Sequence, residues 1–166
     1  VAGSVFGFSH YTAYNRVDSV IGLDVNPSVE LRINSREKVL EARALNSDAQ
    51  GILDGMELSG TDLDVAVNAL IGSMLKNGYI SELANSVLIS VENGDDEKGA
   101  ALRAGLADDI SRILGSSAVD GAILSQTFTE DNNLQALAEQ YGISVGKASL
   151  IQEILKSSPR MQFSSL

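Results

Sequence analysis

Three short, strand-like segments near the amino terminus constrain the fold most. Apolar side chains recur at every second position in residues 21–25 and again in 29–33, and a third run follows at 38–44. The connections between them are short, and each begins with an asparagine, Asn26 or Asn34. Because strands joined by so few residues pair as antiparallel neighbours, the sequence predicts a three-stranded antiparallel meander.

Helices with one apolar face and two further strands are predicted after the meander. The helices are expected at 47–53, at 61–74, through 102–113, at 134–141 and at 144–155, and the strands at 87–91 and 118–128. Thr61 followed by Asp64 has the pattern of a capping box. Because a helix joins the last two strands, we expect them to be parallel, with a right-handed crossover. The predicted fold class is α/β (α+β): a mixed β-sheet starting with an antiparallel three-strand meander, helices packed on it, and two C-terminal helices.

A single domain accounts for most of the chain. Its 166 residues are 44% hydrophobic and 20% charged, which is typical of a globular protein that buries a core. We expect an N-terminal tail at 1–18, one α/β domain at 19–156 and a linker at 157–166. No run approaches the ~20 apolar residues that span a bilayer. Residues 1–8 are small and apolar, and are interpreted either as the juxtamembrane end of a membrane helix or, as composition favours, as an ordinary tail.

Charge and missing residue types exclude several classes of function. The chain has 12 basic and 22 acidic residues, a formal net charge of -10, so it offers no basic surface for nucleic acid or an anionic membrane. Cysteine is absent and His10 is the one histidine, so we expect no thiolate nucleophile, no metal site and no cofactor. A loop at 142–147 resembles a phosphate-binding loop, but its first glycine is out of register and Ala148 replaces the magnesium-binding hydroxyl.

The pair Asn26-Pro27 in the first connection has a chemistry of its own. Asparagine usually deamidates through attack by the following backbone nitrogen, but the nitrogen of Pro27 carries no hydrogen. The side-chain nitrogen of Asn26 can instead attack its own backbone carbonyl carbon, which closes a succinimide and expels the nitrogen of Pro27. A strained turn assists this step by twisting the amide and presenting a near-attack geometry. The sequence therefore suggests a self-cleavage site.

Three neighbouring side chains are candidate assistants of this cleavage. Asp24 and Glu30 are near enough in sequence to move a proton, and Ser28 is a candidate donor to the carbonyl oxygen. One alternative is an acyl shift to the Ser28 hydroxyl, which places the cut at the Pro27–Ser28 bond. Because asparagine and proline are common turn residues, a plainer interpretation is a tight turn and nothing more. Another is a hydrolase that uses Asp24 and Glu30 on a sheet edge.

Several separated motifs carry a family resemblance. They are Ile21-Gly22-Leu23-Asp24-Val25-Asn26-Pro27-Ser28-Val29-Glu30-Leu31 with Asn34, Ala42-Arg43-Ala44-Leu45-Asn46-Ser47-Asp48, Leu58-Ser59-Gly60, Asn77-Gly78-Tyr79-Ile80, Asn85-Ser86-Val87-Leu88-Ile89-Ser90-Val91 and Tyr141-Gly142-Ile143-Ser144-Val145-Gly146-Lys147-Ala148. In this order and over roughly residues 19–155, the sequence resembles the RsgI-type transmembrane anti-sigma factors of Gram-positive bacteria.

The resemblance implies a signalling domain on the extracytoplasmic side of the cell membrane. Such proteins hold an alternative sigma factor with a cytoplasmic domain, cross the membrane once and carry a domain like this one outside. The Asn-Pro bond between the first two strands is the family's self-cleavage point, which here is Asn26-Pro27. Many members add a carbohydrate-binding sensor, but nothing after Leu155 resembles one.

Three partners follow from the resemblance, and none is a nucleic acid. The first is the domain's own N-terminal strand after cleavage, the second an intramembrane protease, and the third a sigma factor bound through the cytoplasmic domain, which lies outside these residues. The resemblance implies one self-cleavage event and no enzymatic turnover. The alternative is a non-cleaving interaction or spacer module of a bacterial surface protein.

Overall fold

The protein forms one five-stranded sheet with helices on both faces. The structure is a computed structural model that describes residues 14–81, 86–117, 122–128 and 132–157. Within them, the strands are β1 (Ser19–Asp24), β2 (Ser28–Ile33), β3 (Val39–Ala44), β4 (Ser86–Asn93) and β5 (Ala122–Thr127). The main helices are α1 (Ser47–Leu53), α2 (Leu63–Lys76), α3 (Asp96–Ser116), α4 (Asn132–Tyr141) and α5 (Val145–Ser157). The predicted fold class is confirmed.

The first strand of the chain lies in the middle of the sheet. The strand order is β3-β2-β1-β4-β5, and β1 is antiparallel to both of its neighbours. Each residue of β1 is in register with a residue on either side, so that Gly22 lies between Glu30 of β2 and Ser90 of β4. The predicted meander is confirmed, and so is the parallel pairing of β4 with β5. The pairing of β1 with β4 gives β1 a second hydrogen-bonded neighbour.

One face of the sheet carries the main hydrophobic core. The strands alternate, so Ile21 and Leu23 of β1 point to this face and are completely buried. Helices α1, α2 and α3 cover it with their apolar stripes. Their buried residues are Ala49, Ile52, Leu63, Ala66, Val67, Leu70, Ile71, Met74, Leu106, Ile110 and Leu114. Within the described ranges, no helix combines the length and apolar character needed to cross a membrane.

The opposite face of the sheet receives α4 and α5. These helices pack against each other, and α5 also contacts β1 and β4. The approach is close because the contacting residues are small. A Cβ atom added to Gly22 would lie 2.7 Å from the Cβ of Ser144, and one added to Gly146 would overlap Ser90. The start of α5 therefore sits directly on the central strands.

The predicted capping box at the start of α2 is wrong. The helix begins at Leu63, and its N-cap residue is Asp62, one residue later than the predicted Thr61. The hydroxyl of Thr61 donates to the carbonyl oxygen of Leu58 at 2.7 Å, and Asp64 accepts from the backbone nitrogen of Val65. A local side-chain to backbone bond therefore competes successfully with the cap.

Some predictions fall on residues outside the described ranges. They concern the tail at 1–13 with His10, residue Asn85 of one motif, the start of the last strand at 118–121 and the linker at 158–166.

Candidate functional site

The Asn26-Pro27 bond lies at the tip of the β1–β2 hairpin. Residues 25–27 connect the strands, and Asp24 and Ser28 are the last pair in register before the turn. The backbone nitrogen of Val25 donates to the carbonyl oxygen of Pro27 at 2.9 Å, which closes the turn around Asn26. Asn26 has a φ of 82°, in the left-handed region, and its side chain is exposed while Pro27 is buried. Asparagine tolerates this conformation better than most residues, yet it still stores backbone strain at the bond.

Asp24 is a buried carboxylate with two hydrogen bonds from one residue of a distant helix end. It is 3% exposed, and its Oδ1 accepts from the backbone nitrogen of Ser144 at 3.2 Å. The hydroxyl of Ser144 donates to Oδ2. Burial raises the pKa of Asp24 above its ordinary value, while the bonds from Ser144 and the nearby charge of Lys147 act to lower it. Asp24 is thus a fixed carboxyl group that can exchange a proton close to the turn.

Ser28 faces Asp24 across the hairpin and is completely buried. Its hydroxyl makes no well-formed hydrogen bond within the described part of the chain, although its proximity helps to lower the pKa of Asp24. A buried hydroxyl without a well-formed hydrogen bond is costly, so such a group is uncommon in a folded protein. Ser28 is therefore available to donate to a group in the turn.

Asn46 holds the other side of the turn. Its Oδ1 caps α1 by accepting from the backbone nitrogen of Ala49 at 3.0 Å, and it also lies 3.4 Å from the backbone nitrogen of Ser28. Its Nδ2 donates to the carbonyl oxygen of Gly142 at 3.3 Å. The α4–α5 connection thus contacts the hairpin directly through Ser144 and Asp24, and it is linked to Ser28 indirectly, through Asn46.

Glu30 is separated from this cluster by its own ion pairs. Its carboxylate lies 3.0 Å from Nε of Arg32 and 3.3 Å from Nη1 of Arg43, and its register partner is Gly22. The sheet-edge location that the hydrolase interpretation gave to Asp24 and Glu30 is wrong, because β1 and β2 are internal strands of the sheet. Of the three candidate assistants, the structure brings Asp24 and Ser28 together at the turn.

A second polar cluster holds the beginning of β1. The Asp18 carboxylate accepts from Nζ of Lys98 at 2.6 Å and from Nδ2 of Asn93 at 3.1 Å. Asn93 also bonds the hydroxyl of Ser19 at 2.6 Å. Partial burial raises the pKa of Asp18, but the bonds from Lys98, Ser19 and Asn93 outweigh it and hold the pKa below its ordinary value. Both ends of β1 are therefore fixed by side chains as well as by the sheet.

Sequence reasoning recognised Ser144 as a helix cap and missed its contact with Asp24. Its hydroxyl does cap α5, accepting from the backbone nitrogen of Lys147 at 3.0 Å. The role of Asn46 was missed as well. The available signal was indirect: Gly142 and Gly146 flank Ser144, and small residues allow close approach to a neighbouring strand.

Comparisons with known proteins agree on one family. A family profile described as "Anti-sigma factor RsgI-like central domain" matches residues 18–153. Anti-sigma-I factor RsgI6 of Acetivibrio thermocellus is 33% identical over 147 residues, which cover 82% of this chain and 19% of that protein. Anti-sigma-I factor RsgI9 of the same organism is 35% identical, with 80% and 19% covered. Anti-sigma-I factor RsgI of Bacillus subtilis is 29% identical over 85 residues, with 49% and 22% covered. The chain spans about a fifth of the length of these relatives.

Proposed function

The chain belongs to the RsgI-like central domain family of anti-sigma factors, and on this premise we propose that it is the extracytoplasmic signalling domain of a membrane-bound anti-sigma factor. It cleaves itself once at the Asn26-Pro27 bond and keeps the severed first strand in place by noncovalent contacts. Removal of that strand is the signal that crosses the membrane.

The central position of β1 is the observation that carries this proposal. The candidate bond follows the strand by two residues, in a turn where Asn26 is exposed and has a positive φ. A cut there leaves β1 between β2 and β4, each of which is hydrogen-bonded to it. The cleaved chain therefore remains folded, and a break in the backbone becomes compatible with a stable domain.

The cleavage step balances with groups of the turn itself. A bond forms between Nδ2 of Asn26 and its own carbonyl carbon, while the bond from that carbon to the nitrogen of Pro27 breaks. One proton leaves Nδ2 and one arrives at the Pro27 nitrogen, so a single proton transfer suffices. The buried Asp24 carboxylate beside the turn supports a role for it as the carrier of this proton, and the Ser28 hydroxyl opposite it supports a role in stabilising the carbonyl oxygen. Water then opens the succinimide.

The noncovalent hold on the strand is strong enough to persist and weak enough to be overcome. Ile21 and Leu23 are both fully buried, and each contributes about 1.5–3 kcal/mol. Ladder hydrogen bonds to the two neighbours add roughly 1 kcal/mol each. A pull on the domain, or its loosening, strips the strand away. The short remnant then becomes a substrate for an intramembrane protease, which frees the sigma factor held by the cytoplasmic domain.

Intact-mass spectrometry of the purified domain tests the proposal. We expect two polypeptides that together have the mass of the chain plus one water, and sequencing of the new amino terminus should start at Pro27. The two should co-elute in native buffer and separate in denaturant. A single uncut species after long incubation at neutral pH would instead favour a non-cleaving spacer module.

A further inference from the structure

The contact between Ser144 and Asp24 joins residues 120 positions apart in the chain. Ser144 immediately precedes α5 and presents both its backbone N–H and its hydroxyl to one carboxylate. The start of a helix carries a partial positive charge, which favours the ionised form of a carboxyl group. The Asp24 carboxylate thus accepts two hydrogen bonds from Ser144 and also lies in the positive field at the start of α5.

Tight packing leaves Ser144 little freedom to move. The Ser144 Cβ lies against Gly22, where no side chain could be accommodated, and its hydroxyl is 3.4 Å from the hydroxyl of Ser90. A Cβ atom added to Gly146, in the first turn of α5, would overlap Ser90. Close packing between β1, β4 and the first turn of α5 therefore fixes the position from which Ser144 contacts Asp24.

From this geometry we propose that Ser144 is the positioning residue for self-cleavage, holding the Asp24 carboxylate in place and in the ionised form that accepts the proton from Asn26. The inference rests on the proposed function and adds to it a control of the same site by the C-terminal helix α5. It makes the pH dependence of cleavage depend on a residue 120 positions away from Asp24.

Among the described residues, few charged groups face Asp24, which makes its ionisation measurable. Lys147 of α5 is the charge that acts on it from that helix. On β2, the nearest charged group on the same face is Glu30, which is paired with Arg32 and with Arg43 of β3. The register partner of Asp24 on β4 is the apolar Leu88.

The test is the cleavage rate as a function of pH in Ser144→Ala. The chain is purified in denaturant, refolded into buffers from mildly acidic to alkaline pH, and followed by mass spectrometry. The wild-type rate should rise with pH as Asp24 ionises. The variant loses one donor to the carboxylate, so its rise should move to higher pH, and its rate near the wild-type midpoint should fall about tenfold.

Ser90→Ala is the matched control. It removes a second buried hydroxyl from the same cluster, one that contacts Ser144 and leaves both bonds from Ser144 to Asp24 in place. Its pH midpoint should stay at the wild-type value. A loss of packing would slow both variants without moving the midpoint, and a loss of the helix cap would slow Ser144→Ala alone without moving its midpoint. If Ser144→Ala does not refold, Ser144→Cys keeps the shape with a weaker donor and should show a smaller shift in the same direction.

The outcomes separate this inference from the function on which it rests. If the wild type cleaves and the pH midpoint of cleavage is the same in Ser144→Ala, the positioning role alone is overturned. The same holds for Ser144→Cys when that variant is needed. A wild type that stays whole at every pH overturns self-cleavage and the positioning role together.

Discussion

At the scale of single residues, the turn combines features that an ordinary hairpin does not require. Asn26 holds a positive φ, Ser28 is a buried hydroxyl that makes no good hydrogen bond in the described part of the chain, and Asp24 is a buried carboxylate. Each of these three features lowers the stability of the domain. A hairpin whose residues lacked them would be more stable. Unfavourable local features that concentrate at one bond are typical of a reactive site.

Asn26→Ala tests the nucleophile. We expect a chain that remains whole, because the side-chain nitrogen is gone, with a loss of about 1–2 kcal/mol in the free energy of unfolding from an alanine in the left-handed region. Intact mass and a urea titration measure the two effects. Cleavage that persists in this variant would exclude Asn26, and loss of that residual cleavage in Ser28→Ala would then identify the acyl shift.

Gly22→Ala tests the close contact between β1 and the start of α5. The added Cβ would lie 2.7 Å from the Cβ of Ser144, so we expect a loss of about 1–3 kcal/mol in the free energy of unfolding. Gly72→Ala in α2 is the matched control, because nothing lies within 4 Å of its added Cβ, and it should gain about 0.5–1 kcal/mol. Urea titrations of both proteins make the comparison. Equal stability of the two variants would show that the start of α5 is not closely packed against β1.

At the scale of elements, the sequence was sufficient for local structure and insufficient for distant pairing. Alternation and short turns predict β1 to β3 because both signals lie within about 25 residues. The pairing of β1 with β4 was not predicted, since it joins Gly22 to Ser90, which lie about half the length of the domain apart in sequence. The Asp24–Ser144 contact was missed for the same reason, because a cap residue and a strand carboxylate carry no shared local signal.

Lys98→Met tests the cluster that holds the beginning of β1. The pKa of Asp18 is lowered in the folded state, so its contribution to stability is present above the ordinary aspartate pKa and is lost as the pH falls through the folded-state pKa. In the Asn26→Ala background, the substitution should remove about 0.5–1 kcal/mol at neutral pH and flatten the loss of stability in acid. Urea titrations across the acid range provide the measurement.

A second lysine provides the control for this experiment. Lys38 pairs with Asp62 at 2.7 Å, so it joins the approach to β3 with the start of α2 and does not involve β1. Lys38→Met should leave the acid dependence as it is in the parent. If the acid dependence of stability changed equally in both variants, the Asp18 cluster would not stabilise β1 in particular.

At the scale of the whole molecule, the proposed cleavage would turn an intramolecular fold into a complex of two chains. The unfolding of such a complex depends on concentration, because its unfolded state is two separate molecules. We expect the melting temperature of the cut protein to rise with protein concentration, and that of Asn26→Ala to stay constant. Differential scanning calorimetry over a range of dilutions measures both. A concentration-independent melting temperature of the cut protein would show that the strand does not leave when the domain unfolds.

The order of strands has a consequence for reversibility. Because β1 is the third of five strands, its departure divides the sheet into β3-β2 and β4-β5 and uncovers a row of unpaired backbone groups on each half. The halves are free to collapse onto each other or onto a neighbouring molecule, and the gap then closes. A returning strand finds no place to insert. Under the proposed function, each domain would therefore signal once, and the signal would be renewed only by synthesis of a new copy.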